Sequence, residues 1–143
     1  MIVKCYVVVD TNVLVSALLS KNEDAATVRV LNRLFGEEIG FLYSNAIESE
    51  YKEVLNRPKF DFSKENIEYL LGAIRQFGIL IDPKTTNIVL NDMKDLPFYE
   101  LVLEKRKDNA YLVTGNIKHF PKEPFIVTPR ELLDILDKEQ RCN

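Results

Sequence analysis

Ile2 to Val9 form an almost unbroken apolar run rich in Val, Ile and Tyr, and the run stops at Asp10-Thr11-Asn12. A strand with one wet face alternates apolar and polar residues; a strand without alternation is covered on both faces, as in parallel sheets. The run therefore predicts a central strand. A parallel neighbour can be reached only by a long crossover, and the sequence supplies such connections. Val13 to Leu19 is apolar, Lys21-Asn22-Glu23-Asp24 is polar, and Val28, Leu31, Leu34 and Phe35 then recur at helical spacing.

The rest of the chain alternates in the same way. Phe41 to Tyr43 reads as a second strand, and Ser44 is placed to cap a helix carrying Ile47, Tyr51, Val54 and Leu55 that ends near Arg57-Pro58. Ser63 is placed to cap the next helix, in which Ile67, Leu70, Leu71, Ile74 and Phe77 repeat every three or four residues until Gly78. Ile79 to Ile81 reads as a third strand, Tyr111 to Val113 as a fourth and Phe125 to Val127 as a fifth. Asp95 precedes Leu96-Pro97, a helix start, and Phe98, Leu101 and Val102 form that helix's apolar stripe. Thr128-Pro129-Arg130-Glu131 is a capping box with Pro at the first helical position, ahead of Leu132, Leu133 and Leu136. Strands alternating with helices predict an α/β fold with a mainly parallel sheet.

With 143 residues, of which 46% are hydrophobic and 29% charged, the expectation is one globular domain over residues 1–143 and not a disordered chain. Lys and Arg number 19 against 22 Asp and Glu, a net charge of −3, so any contact with a polyanion must be local. Cys5 and Cys142 lie near opposite ends without metal-ligand spacing, which suits a reducing, cytoplasmic setting. No run approaches the ~20 apolar residues of a membrane span.

In open parallel sheets, ligands bind at the carboxyl ends of the strands. Asp10 follows the first strand, Asn116 lies just beyond the fourth, and Asp92 and Asp95 stand in the loop before the helix that leads into it. Glu50 lies three residues after Ile47 and four before Val54, on a row bordering the packed face of its helix, whereas Glu48 has Lys52 four residues on, the spacing of a surface ion pair. Carboxylates converging in a partly dry cleft repel one another unless a cation sits between them. An all-oxygen set suits Mg²⁺ or Mn²⁺, and the lone His119 with two distant cysteines offers no zinc set. Each residue also has an ordinary structural role open to it. Asp10 and Asp95 can cap helices, Glu50 can be solvated, and Asn116 can form a turn after Gly115.

Four segments carry a family resemblance: Val7-Val8-Val9-Asp10-Thr11-Asn12-Val13-Leu14, Ser49-Glu50-Tyr51-Lys52-Glu53-Val54-Leu55 running into Arg57-Pro58-Lys59-Phe60, Asp92-Met93-Lys94-Asp95-Leu96-Pro97-Phe98, and Val113-Thr114-Gly115-Asn116-Ile117-Lys118-His119-Phe120-Pro121. In this order they resemble a PIN domain, a metal-dependent nuclease fold, and within that family the single-domain prokaryotic toxin components of toxin–antitoxin systems. The resemblance implies a three-layer α/β/α sandwich that hydrolyses RNA phosphodiesters with one or two Mg²⁺ or Mn²⁺ ions. It places the family's acidic residues at Asp10, Glu50 and Asp95, as metal-holding and catalytic groups. The fourth acidic position, often Asp, is Asn116 here; it can still ligate through oxygen, but it lacks the charge that would help hold a second ion. Thr11 and Asn12 would shape the turn and hydrogen-bond the carboxylates. Arg57, Lys59, Lys118, His119 and Lys122 are candidates for contacting RNA. An antitoxin protein and a second copy of the chain are the candidate protein partners.

Two other readings compete. One is a PIN-like module that binds RNA or protein without cutting. The other is a receiver-type signalling domain, for which Asp10, Thr114 and Lys118 are available, but a receiver wants an acidic pair after its first strand and only Asp10 stands there. A phosphatase with an aspartyl nucleophile would want a second Asp where Asn12 stands.

Overall fold

The computed structural model describes residues 3–36 and 38–141. Ile2, expected to open the first strand, and Cys142 lie outside them. Five strands, β1 (Cys5–Val9), β2 (Ile39–Tyr43), β3 (Ile79–Leu80), β4 (Ala110–Val113) and β5 (Ile126–Val127), form one sheet in the order β3-β2-β1-β4-β5. Every pairing is parallel, with Val7 beside Phe41 on one side and Tyr111 on the other. The sheet is covered by α1 (Thr11–Leu19), α2 (Ala26–Leu34), α3 (Asn45–Leu55), α4 (Lys64–Phe77), α5 (Leu96–Glu104) and α6 (Pro129–Arg141), a three-layer α/β/α sandwich. No helix among the described residues is long and apolar enough to cross a membrane.

The apolar first run does what its composition requires. β1 is the middle strand, and Cys5, Val7, Val8 and Val9 are fully buried. Buried side chains from every layer, including Leu14, Phe41, Ile47, Tyr51, Leu71, Phe98, Leu112 and Leu133, join it in one core. β3 and β5 are shorter than expected, at two residues each. As the two edge strands they pair on one side only, and both residues of β3 are exposed.

Local chemistry sets the helix boundaries. The hydroxyls of Ser44 and Ser63 accept from the N–H groups of Ile47 and Asn66, at 3.2 and 3.1 Å. Thr128 and Glu131 bond reciprocally: Thr128 N–H donates to Glu131 Oε1 at 3.0 Å, and Glu131 N–H to Thr128 Oγ1 at 3.1 Å. Glu48 does not pair with Lys52 as its spacing suggested. It accepts from Arg75 Nε at 3.0 Å, because α4 packs beside α3 and offers a guanidinium to the same carboxylate.

Gly78 ends α4 in extended backbone, φ −78°, so a left-handed turn is not what requires glycine there. Space is: a Cβ would lie 2.4 Å from Ile74 O and 2.9 Å from the Tyr43 ring. Gly78→Ala is therefore expected to destabilise the protein by about 1 to 3 kcal/mol through overpacking against rigid backbone. The check is the urea midpoint at unchanged m value, and an unshifted midpoint would contradict the assigned crowding.

Candidate active site

The strand order reverses direction at β1, since the chain passes from β1 to β2 on one side and later returns to β4 on the other. A crevice at such a point, beyond the carboxyl ends of the strands, is the natural binding place in an open parallel sheet. Asp10 leaves β1 at this crevice, with its N–H donating to Val113 O at 2.9 Å, and Thr114-Gly115-Asn116 leave β4 beside it.

The carboxylate of Asp10 is buried and held from two sides. Thr114 Oγ1 donates to its Oδ2 at 2.8 Å, and Asn12 Nδ2 donates to the same oxygen at 3.3 Å. Asn12 also closes the gap between the two loops, because its Oδ1 accepts from Gly115 N–H at 3.2 Å. Thr11 Oγ1 donates to Glu50 Oε2 at 2.5 Å and so ties the start of α1 to α3. One turn of chain, Asp10-Thr11-Asn12, thereby connects β1, β4 and α3. Behind it the buried Tyr51 hydroxyl donates to Val9 O and fixes α3 against the end of β1.

Asp95 stands at the start of α5. Its Oδ2 is buried and has no hydrogen-bond partner; His119 Nδ1 is 3.7 Å away, beyond hydrogen-bonding distance. Asp10 and Asp95 occupy helix N-cap positions, yet neither side chain makes a cap bond. Ser44, Ser63 and Asp92 do cap, Asp92 by accepting from Lys94 N–H at 2.9 Å. Capping therefore does not account for the two aspartates.

The three acids are coupled electrostatically. Burial raises the Asp10 carboxyl from 3.8 to about 6, with Asp95 and Glu50 pushing the same way and the Thr114 hydrogen bond opposing. Asp95 is also raised, by burial first, then by Asp92 and Glu50 against the opposing pull of His119. The Tyr51 hydroxyl is pushed well above its usual range by burial, with Asp10 and Glu50 adding to it. A buried acid next to two others is unfavourable in the protein alone and favourable with a cation.

The remaining expected residues divide. Asn116 is exposed and joins the site through its main chain, its N–H donating to Thr114 Oγ1 at 3.0 Å. Arg57 lines two clefts, one with Thr11 and Asn12, the other with Glu50, Glu53 and Lys94. Lys59 lies over the Phe60 ring, 5.1 Å from its centroid. His119 faces Asp95, while Lys118 and Lys122 are exposed on the connection from β4 to β5. Thr114, Tyr51 and Lys94 were not among the expected site residues. Only Thr114 had a signal, a hydroxyl directly after an apolar strand.

Among the described residues, no three of His, Cys, Asp and Glu close into a ready-made ligand cage. The donors nevertheless fit a hard divalent cation: all are oxygens, and one buried carboxylate oxygen accepts no hydrogen bond.

A 29% identical relative is an uncharacterized protein, MJ1680, of Methanocaldococcus jannaschii, with 95% of this chain and 94% of the other aligned. No solved structure matches the chain. A family match described as PIN domain covers residues 6–118, from β1 through the loop after β4, and so includes Asp10, Glu50, Asp95 and Asn116. The chain belongs to the PIN domain family.

Proposed function

We propose that this protein is a metal-dependent endoribonuclease, the toxin component of a toxin–antitoxin pair acting in the cytoplasm. PIN domains are generally nucleases that use divalent metal ions, which supports the reaction class. The observation that carries the reading is the buried Oδ2 of Asp95, which accepts no hydrogen bond and whose carboxylate is coupled electrostatically to Asp10 and Glu50.

Asp10 and Asp95 would hold Mg²⁺ or Mn²⁺, with Asn116 adding a neutral oxygen. Such an ion, when bound, makes a water more acidic and offsets charge on the phosphate oxygens. Thr114 and Asn12 fix the orientation of Asp10, so its carboxylate needs little rearrangement when substrate arrives. Thr11 occupies Glu50 Oε2 and leaves Oε1 to orient the attacking water and take its proton. The water oxygen forms a new bond to phosphorus as the bond to the leaving nucleotide oxygen breaks. Arg57 and Lys94 offset the repulsion between an acidic cleft and the phosphates of the strand.

The test is cleavage of mixed single-stranded RNA by purified protein with Mg²⁺ or Mn²⁺, compared with EDTA. No cleavage under any of these conditions would overturn the reading and favour the binding module. The toxin role has its own test. Expression should arrest growth, and the product of an adjacent gene should relieve the arrest; growth without arrest would remove it.

Asn116 allows a graded prediction. Asn116→Asp adds an anionic oxygen beside the site and is expected to tighten Mn²⁺ binding by about 1 to 2 kcal/mol, roughly five- to thirtyfold in Kd. Calorimetric titration of both proteins in one buffer measures this, and equal affinities would leave Asn116 a turn residue.

A further inference from the structure

A cleft of about 540 Å³ opens beside the acidic cluster, between α1, the C-terminal end of α3 and the short 3₁₀ turn Pro58–Phe60. One end of the cleft is formed by Thr11 and Asn12, the residues that hold Glu50 and Asp10. The rest of the lining combines apolar and aromatic side chains, Leu19, Val54 and Phe60 among them, with Ser16, Ser20 and Arg57. Leu19 is 52% exposed, although every other apolar residue of α1 is at least partly buried. A second cleft, of about 310 Å³, contains Glu50 and Lys94 and shares Arg57 with the first. Glu50 thus lines the charged cleft, while Thr11, which donates to it, lines the larger one.

We propose that the larger cleft is a nucleobase subsite, which receives the base of a nucleotide next to the scissile phosphate of a single-stranded RNA. The proposal rests on reading the acids as the place where that phosphate is cut. Proximity leads to the assignment. A phosphate at Asp10 and Glu50 has its neighbouring nucleoside one residue length away, and the recess continues directly from the turn holding those carboxylates. The wall chemistry fits a nucleotide better than a purely apolar ligand. Sequence-tolerant binding of single strands combines aromatic faces with cations that follow the backbone. Here Phe60 has the Lys59 ammonium over its ring, and among the described residues the Arg57 guanidinium, 44% exposed, pairs with Glu53 at 3.6 Å. A paired base could not enter, because it would have to leave its stack, which selects unpaired RNA.

The experiment measures binding and cutting separately. Short fluorescent single-stranded RNAs, each with an abasic nucleotide at one position, are titrated by anisotropy in Mg²⁺ buffer with the Asp10→Asn protein. The same series is repeated with Phe60→Ala and Phe60→Leu added; the Leu variant keeps apolar packing on Phe62, whose ring stacks on Phe60. Both Phe60 changes are expected to weaken binding roughly tenfold, and one abasic position is expected to do the same. The two losses should not multiply, since each removes the same contact. Losses that multiply at every abasic position, or a Kd unmoved by both Phe60 changes, would overturn the subsite and leave the cleft to a protein partner. Wild-type cleavage, assayed in parallel, separates the two readings. Coupled losses without cleavage keep the subsite and remove the nuclease, whereas cleavage without coupling does the reverse.

Discussion

Asp10→Asn is expected to slow RNA cleavage on the order of a thousandfold, the scale seen when one preorganised electrostatic group is lost from a site. The substitution keeps the shape, and an amide oxygen can still accept from Thr114 and Asn12. What it removes is the negative charge that attracts the cation. Asp95→Asn should be comparably damaging, because its buried Oδ2 accepts no hydrogen bond and has only the exposed His119 facing it among the described residues. The control is Glu48→Gln, which removes the same charge from α3 at a carboxylate turned toward Arg75 of α4. It should stay within about twofold of wild type, since surface changes away from special features have small effects. Initial rates on one labelled RNA with saturating Mn²⁺ decide the matter. If Asp10→Asn and Glu48→Gln cut equally well, the active site lies elsewhere.

The sheet and most helices were legible because their signals are local. Val7 to Val9 had no polar alternation to allow an exposed face, and Thr128-Pro129-Arg130-Glu131 forms its capping box whatever surrounds it. The edge strands were less legible, since two-residue pairing at β3 and β5 is decided by the neighbouring strand and not by the segment's own residues. Residues 82–92 carry no periodic pattern and run without helix or strand into the 3₁₀ turn Met93–Asp95. The segment is tied down by Thr86, whose N–H and hydroxyl both donate to Glu100 Oε2. No spacing rule connects those two positions.

The candidate site was half legible for the same reason. Asp10, Glu50 and Asp95 could be named, but a cap and a ligand look identical in sequence: an acid before a helix. The difference lies in whether the side chain makes a cap bond, as Asp92 does, or makes none, as with Asp10 and Asp95. Thr114 and Tyr51 matter through partners 104 and 42 residues distant. Such contacts exist only after β1, β4 and α3 have come together.

The second large effect is on stability, with its sign set by pH. The folded-state pKa of Asp10, about 6, lies above the ordinary 3.8, so the folded protein binds this proton more tightly than the unfolded chain. Its favourable contribution is complete below about pH 3.8 and is lost as pH rises through 6. At neutral pH the metal-free protein is therefore destabilised by up to about 3 kcal/mol at this one residue, using roughly 1.4 kcal/mol per unit. Asp95 is shifted in the same direction and adds to the trend. Asp10→Asn removes the Asp10 share of the dependence, because a neutral amide resembles the protonated acid in shape and charge. Without metal, the variant should match wild type near pH 4 and exceed it by about 1 to 3 kcal/mol at pH 7.5, a rise of roughly 3 to 10 °C in Tm for a chain of this size. Saturating Mn²⁺ should narrow or reverse the gap, since an ion binding only the folded wild type stabilises it by mass action. The measurement is thermal unfolding of both proteins at several pH values, with EDTA and with Mn²⁺. A difference that stays flat with pH would mean that Asp10 ionises freely in the folded protein, and the crowded acidic centre would have to be abandoned.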